Sequence, residues 1–326
     1  MTNVFPIQNI ADRIDITSAH TYCAEAVYEL FKNAPPVIRP ITTHMLGARG
    51  KGARTSLLFT SAMGADGLVP KEVVPAAAAV EIFHMATLAH DDVIDEADTR
   101  RGIQSVQSKF SKKEAILCGD FLFGLAFAAI ADIYEPYTKF ARKFAVSVSK
   151  ICLGELRQFG NSYNSNIQFY DYIKTIHGKT AVLFHLSAYG GGILGGLPEE
   201  QYVALGKFGA YYGIVFQIID DCKDYILSDC QAQKPTKSDI SAGVVNLPLL
   251  MAYLKEPALR KSPFTFELIK DVIRLDGVAG ALEIARKYEK KAGRVLCSLE
   301  NGRQAAELSS LMAAPFALLE DHSNAK

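Results

Sequence analysis

The stretch that decides the fold is residues 76–96, which read AAAAVEIFHMATLAHDDVIDE. Helix-forming and apolar residues recur in it three and four positions apart, so it predicts a long helix that ends in aspartates. The same periodicity predicts further long helices at 18–32, 115–133, 139–159, 200–227 and 279–299. Valine and isoleucine rarely alternate with polar residues, as they would in strands. We therefore predict an all-α fold, a bundle of long antiparallel helices.

Length and composition limit the classes of protein that the chain can be. The 326 residues show no sharp change in composition, which predicts a single domain over residues 1–326, with mobile ends at about 1–15 and 315–326. The 35 basic and 35 acidic side chains cancel, so no overall positive field attracts nucleic acid. Six cysteines without paired short spacings argue against a zinc site or a disulfide framework and favour a cytoplasmic location. The chain shows no signal-peptide pattern and no run of about 20 uninterrupted apolar residues, so we predict no membrane span.

Turn-forming residues mark the expected breaks between helices. Loops are predicted at Pro35-Pro36, Pro40, Gly64–Pro70, Gly190–Pro198 and Ser228–Gly243. The last of these is long enough to suggest a functional lid. The glycines from Gly190 to Gly196 are interpreted as a close helix contact rather than a phosphate loop.

Two acidic clusters share one spacing. His90-Asp-Asp-Val-Ile-Asp95 is matched by Ile219-Asp-Asp-Cys-Lys-Asp224, and each triplet lies within about a third of a helix circumference. His84 and Gln217 extend the two polar stripes. Crowded carboxylates in apolar surroundings repel each other, and bound metal ions relieve that repulsion. Oxygen donors without cysteine favour magnesium, so the predicted metal ligands are Asp91, Asp92, Asp95, Asp220, Asp221 and Asp224.

Basic residues supply a counterpart to these acids. Gly50-Lys51-Gly-Ala-Arg54 places two cations in a glycine-rich stretch, where the backbone can approach a phosphate. Arg100 and Arg101 follow the first acidic cluster directly. Together with Lys179 and Lys234, these cations suit two separate diphosphates, one held through metal bridges and one held by cations alone.

From about Gly50 to about Leu250 the sequence resembles the trans-isoprenyl (polyprenyl) diphosphate synthase family. The motifs that carry the resemblance follow the order in which the family has them: Gly50-Lys51-Gly52-Ala53-Arg54, Asp91-Asp92-Val-Ile-Asp95, Arg100-Arg101-Gly102, Gly119-Asp120, Gly154-Glu155 with Gln158, Lys179-Thr180, and Phe216-Gln217 before Asp220-Asp221 and Asp224. The resemblance implies the isoprenoid synthase fold, with helices around a deep central cavity and the two acidic motifs facing each other at its mouth.

The resemblance also implies an activity, a cofactor and partners. The enzyme would be a prenyltransferase that condenses isopentenyl diphosphate head to tail with an allylic diphosphate, namely dimethylallyl, geranyl, farnesyl or geranylgeranyl diphosphate. Three magnesium ions, with manganese as a substitute, would bridge the aspartate motifs to the allylic diphosphate. A cytoplasmic homodimer is expected, without nucleic acid, and with peripheral membrane contact at most when product is released.

Roles for individual residues follow from the same resemblance. The expected ligands of isopentenyl diphosphate are Lys51, Arg54, His84 and Arg101. The expected ligands of the allylic diphosphate are Arg100, Lys179 and Lys234. The residues assigned to the reacting centre are Lys179, Thr180, Gln217, Asp91 and Asp220. Metals and cations would stabilise the departing diphosphate, and an apolar cavity would keep water from the carbocation.

Product length in this family depends on residues that precede the first aspartate motif. Ala86 and Thr87 are small, which favours a medium or long product. Phe83 lies about 12 Å along the helix from Asp91 and is the candidate floor that stops growth. The sequence also departs from the family near the second motif, with Val244 in place of an expected lysine and Asn246 in place of a threonine.

Other functions were weighed against this one. A short-chain (C15–C20) synthase remains the alternative for product length, favoured by Phe83. A class I terpene cyclase shares the fold, but its second metal motif contains asparagine, serine and glutamate. A histidine–aspartate metal phosphohydrolase could use His84, His90 and Asp91, yet it leaves the second cluster unexplained. A non-catalytic subunit of a heteromeric synthase would be expected to lose aspartates that this chain retains.

Overall fold

The computed structural model describes residues 12–48, 50–131, 138–226, 240, 242–261 and 266–323. Its α-helices are α1 Ile16–Lys32, α2 Arg39–Leu46, α3 Ala53–Ala62, α4 Val73–Ile94, α5 Val106–Lys109, α6 Lys112–Ala131, α7 Thr138–Gly160, α8 Phe169–Ile176, α9 Val182–Leu194, α10 Glu199–Ile226, α11 Leu247–Lys255, α12 Phe266–Val272, α13 Val278–Leu296 and α14 Gly302–Ser323. The described residues also contain two π-helices, His177–Ala181 and Ile273–Gly277, and the 3₁₀-helix Pro257–Lys261.

Strands are confined to short pairs among the residues that the structure describes. β1 Arg13–Ile14 pairs with β2 Val69–Pro70, and β3 Thr99–Arg100 pairs with β4 Ile103–Gln104, both antiparallel. Each of the six predicted long helices matches an observed helix to within three residues at either end. The prediction of an all-α fold is confirmed.

Two of the predicted loops are wrong. Pro40 lies in the first turn of α2, where the missing N–H of proline leaves no helical hydrogen bond unmade. Residues Gly190 to Leu194 form the end of α9, and the chain leaves the helix only at Gly195 and Gly196, the latter at φ 74°. Most of the predicted Ser228–Gly243 lid lies outside the described residues.

The chain divides into two compact units. The first unit contains the residues up to Ala145, Leu186–Gly206 and Leu299–Glu307, and thus the first aspartate motif. The second contains Val146–His185, Lys207–Ser298 and the residues from Leu308 onward, and thus the second motif. The single domain over residues 1–326 stays a prediction.

Glycines allow close helix packing in the first unit. A Cβ on Gly191 of α9 would lie 2.2 Å from the carbonyl oxygen of Leu58, and one on Gly190 would lie 2.2 Å from the ring of Phe140. Gly119 of α6 likewise faces the His90 ring, 2.3 Å from where its Cβ would be. The interpretation of Gly190–Gly196 as a packing contact is therefore confirmed for its helical part.

In the second unit a glycine contact positions the π-helix His177–Ala181. A Cβ on Gly154 of α7 would lie 2.3 Å from the backbone nitrogen of Lys179, and Gly178 packs against the same turn of α7. Only residues without side chains allow the two backbones to come this close. The contact fixes Lys179 and Thr180 against α7.

Three described helices are long and apolar enough to cross a membrane, judged by length and composition alone: α4, α6 and α10. Of their most apolar windows, 78% is buried in α4, 61% in α10 and 39% in α6. The prediction of no membrane span therefore stays a prediction.

Candidate active site

The first aspartate motif forms the end of α4. Asp91 is partly buried, Asp92 is buried and Asp95 is exposed. Asp95 is the C-cap residue of α4, and its N–H donates to the carbonyl of Asp91 at 2.8 Å. Glu96 then adopts a left-handed φ of 50°, which ends the helix and directs the chain into the β3–β4 hairpin with Arg100 and Arg101.

Arg100 of the β3–β4 hairpin forms an ion pair with the buried Asp92. Arg100 donates to Asp92 Oδ1 from Nε at 2.8 Å and from Nη2 at 2.5 Å. Burial raises the pKa of Asp92, and the Arg100 guanidinium opposes that rise. Arg100 is thus engaged with Asp92 in this structure, whereas the family resemblance assigns it to the allylic diphosphate.

Further cations gather beside the first motif. Arg54 Nη1 lies 3.1 Å from His84 Nε2. Arg101 has a left-handed φ of 51°, and its Nη1 donates to the carbonyl of Ala48 at 2.7 Å. Its guanidinium also lies close to Gly50, because a Cβ on Gly50 would be 2.6 Å from Arg101 Nη2. A side chain on Gly50 would therefore displace the Arg101 guanidinium from this place.

The arginines of this cluster affect the protonation of His84. Burial lowers the pKa of His84 well below its usual value, and the charges of Arg54, Arg101 and Arg100 lower it further. A histidine kept neutral among three guanidinium groups indicates an electropositive site suited to an anion. Lys51 is exposed beside it, in the loop that leads into α3 through Gly52 at φ 68°.

The predicted product-length residues lie farther back on α4. Phe83, Thr87 and Asp91 follow one another at four-residue spacing and so share one face of the helix. Thr87 and Asp91 are partly exposed, whereas Phe83 is 1% exposed. The Phe83 ring lies between Phe123 and Phe144, with centroids 5.1 and 5.2 Å away. Exposure along this face therefore ends at Phe83, while Ala86 is fully buried on another face.

The second motif lies in the last turns of α10. Asp220 is partly buried, and Asp221 and Asp224 are 5% and 4% exposed. Asp221 accepts from Gln217 Nε2 at 2.8 Å on one oxygen and from the hydroxyl of Tyr172 at 2.7 Å on the other. Lys223 Nζ lies 3.7 Å from Asp220.

The predicted reacting-centre residues of the second unit are connected to this motif. Thr180 donates to Gln217 Oε1 at 2.7 Å, so Thr180, Gln217 and Asp221 form one hydrogen-bonded chain. Lys179 donates to Glu155 at 3.0 Å, beside the Gly154 contact that fixes its backbone. Lys234 lies outside the described residues.

Each unit therefore brings together its own set of predicted residues. The first holds the acidic end of α4 with Arg54, His84, Arg100 and Arg101, and the second holds the acidic end of α10 with Lys179, Thr180 and Gln217. That the two motifs face each other stays a prediction. Tyr172 was not predicted; its sequence context, on an amphipathic helix before Lys179-Thr180, gave no sign that its hydroxyl binds an aspartate.

The donor chemistry fits magnesium. The aspartates of each motif offer oxygen atoms only, and Asp91, Asp95 and Asp220 retain partly or fully exposed side chains. Within the described ranges no group of three His, Cys, Asp or Glu side chains is close enough to hold a metal by itself. A magnesium ion bound through one or two carboxylates, with water and phosphate oxygens at its other positions, does not need such a group.

The chain matches known proteins over most of its length. The polyprenyl synthetase family matches residues 35–268. Heptaprenyl diphosphate synthase component 2 of Bacillus subtilis (strain 168) is 32% identical over 286 residues, covering 85% of this chain and 81% of that protein. Octaprenyl diphosphate synthase of Escherichia coli (strain K12) is 30% identical over 287 residues, covering 84% and 87%. The crystal structure of heptaprenyl diphosphate synthase from Staphylococcus aureus superposes with a TM-score of 0.86 at 29% identity, covering 93% of this chain and 98% of that one.

The fold is the all-α isoprenoid synthase fold. The aspartate-bearing helices and the arginine cluster are typical of synthases that bind diphosphates. The chain belongs to the polyprenyl synthetase family. It is a prenyltransferase, which confirms the resemblance seen in the sequence and leaves the phosphohydrolase interpretation without support.

Proposed function

We propose that this chain is a magnesium-dependent trans-polyprenyl diphosphate synthase that joins isopentenyl diphosphate head to tail to an allylic diphosphate. The observation that carries the proposal is the arginine cluster around a neutral His84, directly beside the aspartates of α4. An anion without a metal would bind at such a cluster, while an anion bridged by metals would bind at the aspartates. Two diphosphates of different roles need both kinds of site.

The aspartates would hold three magnesium ions per active site, with manganese as a substitute. Asp91, Asp95 and Asp220 have the exposure that direct binding requires, and Asp224 belongs to the same acidic stripe as Asp220. Asp92 and Asp221 are the remaining predicted ligands, and both are buried in contacts with Arg100 or with Gln217 and Tyr172. When bound, magnesium would neutralise the charge that develops on the leaving diphosphate.

The protein's own groups would do the rest. Lys51, Arg54, His84 and Arg101 would orient isopentenyl diphosphate, and Arg100, Lys179 and Lys234 would bind the allylic diphosphate. Cleavage of the allylic carbon–oxygen bond produces a carbocation, which the double bond of isopentenyl diphosphate attacks. Thr180 and Gln217, fixed by their mutual hydrogen bond, would line the reacting centre, and the proton released at the end would go to the departing diphosphate.

We propose a medium or long product. Thr87 is partly exposed and small, so it leaves the face below Asp91 open as far as the Phe83 ring. Two of the relatives described above make heptaprenyl and octaprenyl diphosphates, which agrees with this length. A short-chain (C15–C20) product is the alternative, because the Phe83 ring is fixed between two other phenylalanines and would stop growth.

A cytoplasmic homodimer is proposed as the working form, with peripheral membrane contact when a long product is released. α6 supports an assembly because its apolar residues Ile116, Leu117 and Phe127 are 44%, 55% and 39% exposed. The B. subtilis relative is named as component 2 of its synthase, so a heteromer is the other outcome. Light scattering of the purified chain separates the two, since a homodimer has twice the mass of one chain.

The deciding experiment is incubation with labelled isopentenyl diphosphate and primers from dimethylallyl to geranylgeranyl diphosphate, with magnesium or with a chelator. We expect elongated products only with magnesium. Arg54→Ala should raise the KM for isopentenyl diphosphate more than that for the primer, whereas Arg142→Ala on the exposed face of α7 should change neither. A folded protein that incorporates no label with any primer in magnesium would refute the proposed function.

A further inference from the structure

The second aspartate motif is followed directly by a buried tyrosine. Tyr225 comes after Asp224 and is 2% exposed. Its hydroxyl donates to Asn246 Oδ1 at 2.8 Å, and Asn246 is also 2% exposed. The hydrogen bond therefore joins the last turn of α10 to the start of α11 between two buried side chains, where such a bond is strong and costly to lose.

Asn246 has a second task at the same place. It is the N-cap residue of α11, and its Oδ1 accepts from the N–H of Leu249 at 3.4 Å. One side-chain oxygen thus holds the first turn of α11 and the hydroxyl of Tyr225 together. The N–H of Leu247, next along α11, lies 3.5 Å from Asp221 Oδ2. The start of α11 therefore contacts α10 at two points one helical turn apart.

These contacts complete a supporting face on α10. Gln217, Asp221 and Tyr225 follow at four-residue spacing, so they share one face of the helix. They bind Thr180 of the π-helix, Tyr172 of α8 and Asn246 of α11, respectively. Arg274 adds a hydrogen bond from Nε to the carbonyl of Tyr225 at 3.2 Å. Asp220 and Asp224 lie beside this face, so its contacts set where their carboxylates are.

We propose that Asn246 is a positioning residue of the second aspartate motif, acting through the hydroxyl of Tyr225. The proposal rests on the proposed function, because it assigns the motif to binding a metal–diphosphate complex. Asn246 stands where the family resemblance leads one to expect threonine. Threonine can cap a helix, but its hydroxyl is one bond closer to the backbone than Asn246 Oδ1 and does not extend to Tyr225 in the same way.

Two substitutions remove the hydrogen bond from opposite ends. Tyr225→Phe deletes only the hydroxyl and keeps the ring packing. Asn246→Ser keeps a good N-cap but shortens the side chain. Because both remove one interaction, the double variant should be no worse than the worse single variant. Tyr253→Phe is the matched control, since it deletes the hydroxyl of another buried tyrosine two turns farther along α11.

The readout is binding of inorganic diphosphate in the presence of magnesium, measured by isothermal titration calorimetry on the full chain. Loss of a residue that orients metal ligands typically weakens metal binding or activity by 10 to 100-fold, so we expect about tenfold weaker binding for both variants. In the condensation assay kcat should fall while the KM for isopentenyl diphosphate stays the same. Tyr253→Phe should match the wild type in both measurements.

The outcomes are distinguishable. If the wild type binds magnesium diphosphate and condenses substrates, but Tyr225→Phe does both equally well, the positioning role of Asn246 is refuted and the proposed function stands. If the two single variants lose binding independently, so that the double variant loses the sum, the residues do not act through their shared hydrogen bond and the proposal also falls. If the wild type itself neither binds magnesium diphosphate nor condenses substrates, the proposed function falls.

Discussion

The two aspartate motifs have the same spacing but different supports. On α4 the buried second aspartate, Asp92, is held by a charged partner, Arg100, at 2.5 Å. On α10 the corresponding Asp221 accepts hydrogen bonds from neutral groups: the Gln217 amide at 2.8 Å, the Tyr172 hydroxyl at 2.7 Å and the N–H of Leu247 at 3.5 Å. In both motifs the first aspartate is more exposed than the second. The repeated sequence pattern therefore buries the second aspartate in both motifs, but a cation compensates it on α4 and neutral donors compensate it on α10.

The difference has a consequence for energetics. A guanidinium compensates a buried carboxylate by charge, and its loss leaves a buried charge without a counterion. A hydroxyl or amide compensates by one hydrogen bond, and its loss leaves the other donors in place. Asp92 should therefore depend more strongly on Arg100 than Asp221 does on any one of its neutral donors.

Both helices carry a buried aromatic ring eight residues before their first aspartate, Phe83 on α4 and Tyr212 on α10. The largest effect is expected at Phe83, the candidate floor for the growing product. Phe83→Ala should destabilise the protein by about 3–5 kcal/mol, as for other buried phenylalanines, and should lengthen the products because the floor is removed. The measurements are urea unfolding and chromatography of the products. Phe31→Ala on α1, also fully buried, is the control and should destabilise without lengthening. If the products of Phe83→Ala have the same chain lengths as those of the wild type, Phe83 is not the residue that stops chain growth.

The next effect tests whether the two motifs are equivalent in catalysis. Asp91→Asn and Asp220→Asn each remove the negative charge of the first aspartate of a motif, and each should lower kcat about 100 to 1000-fold, as does the loss of a group that stabilises developing charge. Asp271→Asn, on an exposed site of α12, should leave kcat unchanged. A loss of less than threefold at either motif would show that the motifs are not a matched pair.

The long helices and the acidic motifs were predictable because they are local patterns. The periodicity of residues 76–96 shows a helix of about the observed length, Val73–Ile94, and aspartates at a fixed spacing on one helix define their common face without any tertiary contact. The pairing of Arg54 with His84 followed from the family resemblance, which supplied the two residues but not their 3.1 Å contact.

What the sequence did not predict depends on contacts between distant segments. Tyr172 binds Asp221 across 49 positions of the chain, and nothing around Tyr172 differs from an ordinary helix. The loops predicted at Pro40 and at Gly190–Leu194 failed for a related reason. Proline is tolerated in a first helical turn, and glycine is tolerated in a helix where another backbone packs against it. Neither circumstance is visible from composition alone.

The third prediction concerns the ion pair between Arg100 and the buried Asp92. Arg100→Ala leaves the Asp92 carboxylate buried without its guanidinium, and the free energy of unfolding should fall by about 2–3 kcal/mol, less than for a fully buried pair because Arg100 is 29% exposed. Urea denaturation measures it. Lys112→Ala is the control, since it breaks an equally short ion pair with Glu96 whose partners are 58% and 74% exposed, and its effect on the free energy of unfolding should be much smaller than that of Arg100→Ala. Equal losses would show that burial does not decide the strength of the Asp92 pair.

The neutral support is expected to give the smallest effect. Tyr172→Phe removes one of the hydrogen bonds to Asp221 but keeps the ring and leaves Gln217 in place, so the free energy of unfolding should fall by about 1.5 kcal/mol, the value typical of a hydrogen bond to a charged group. Tyr170→Phe, two residues away on the same helix and 69% exposed, should leave it unchanged. A loss in Tyr172→Phe as large as that in Arg100→Ala would contradict the distinction between charged and neutral support, because it would mean that Asp221 depends on one hydroxyl as strongly as Asp92 depends on a full positive charge.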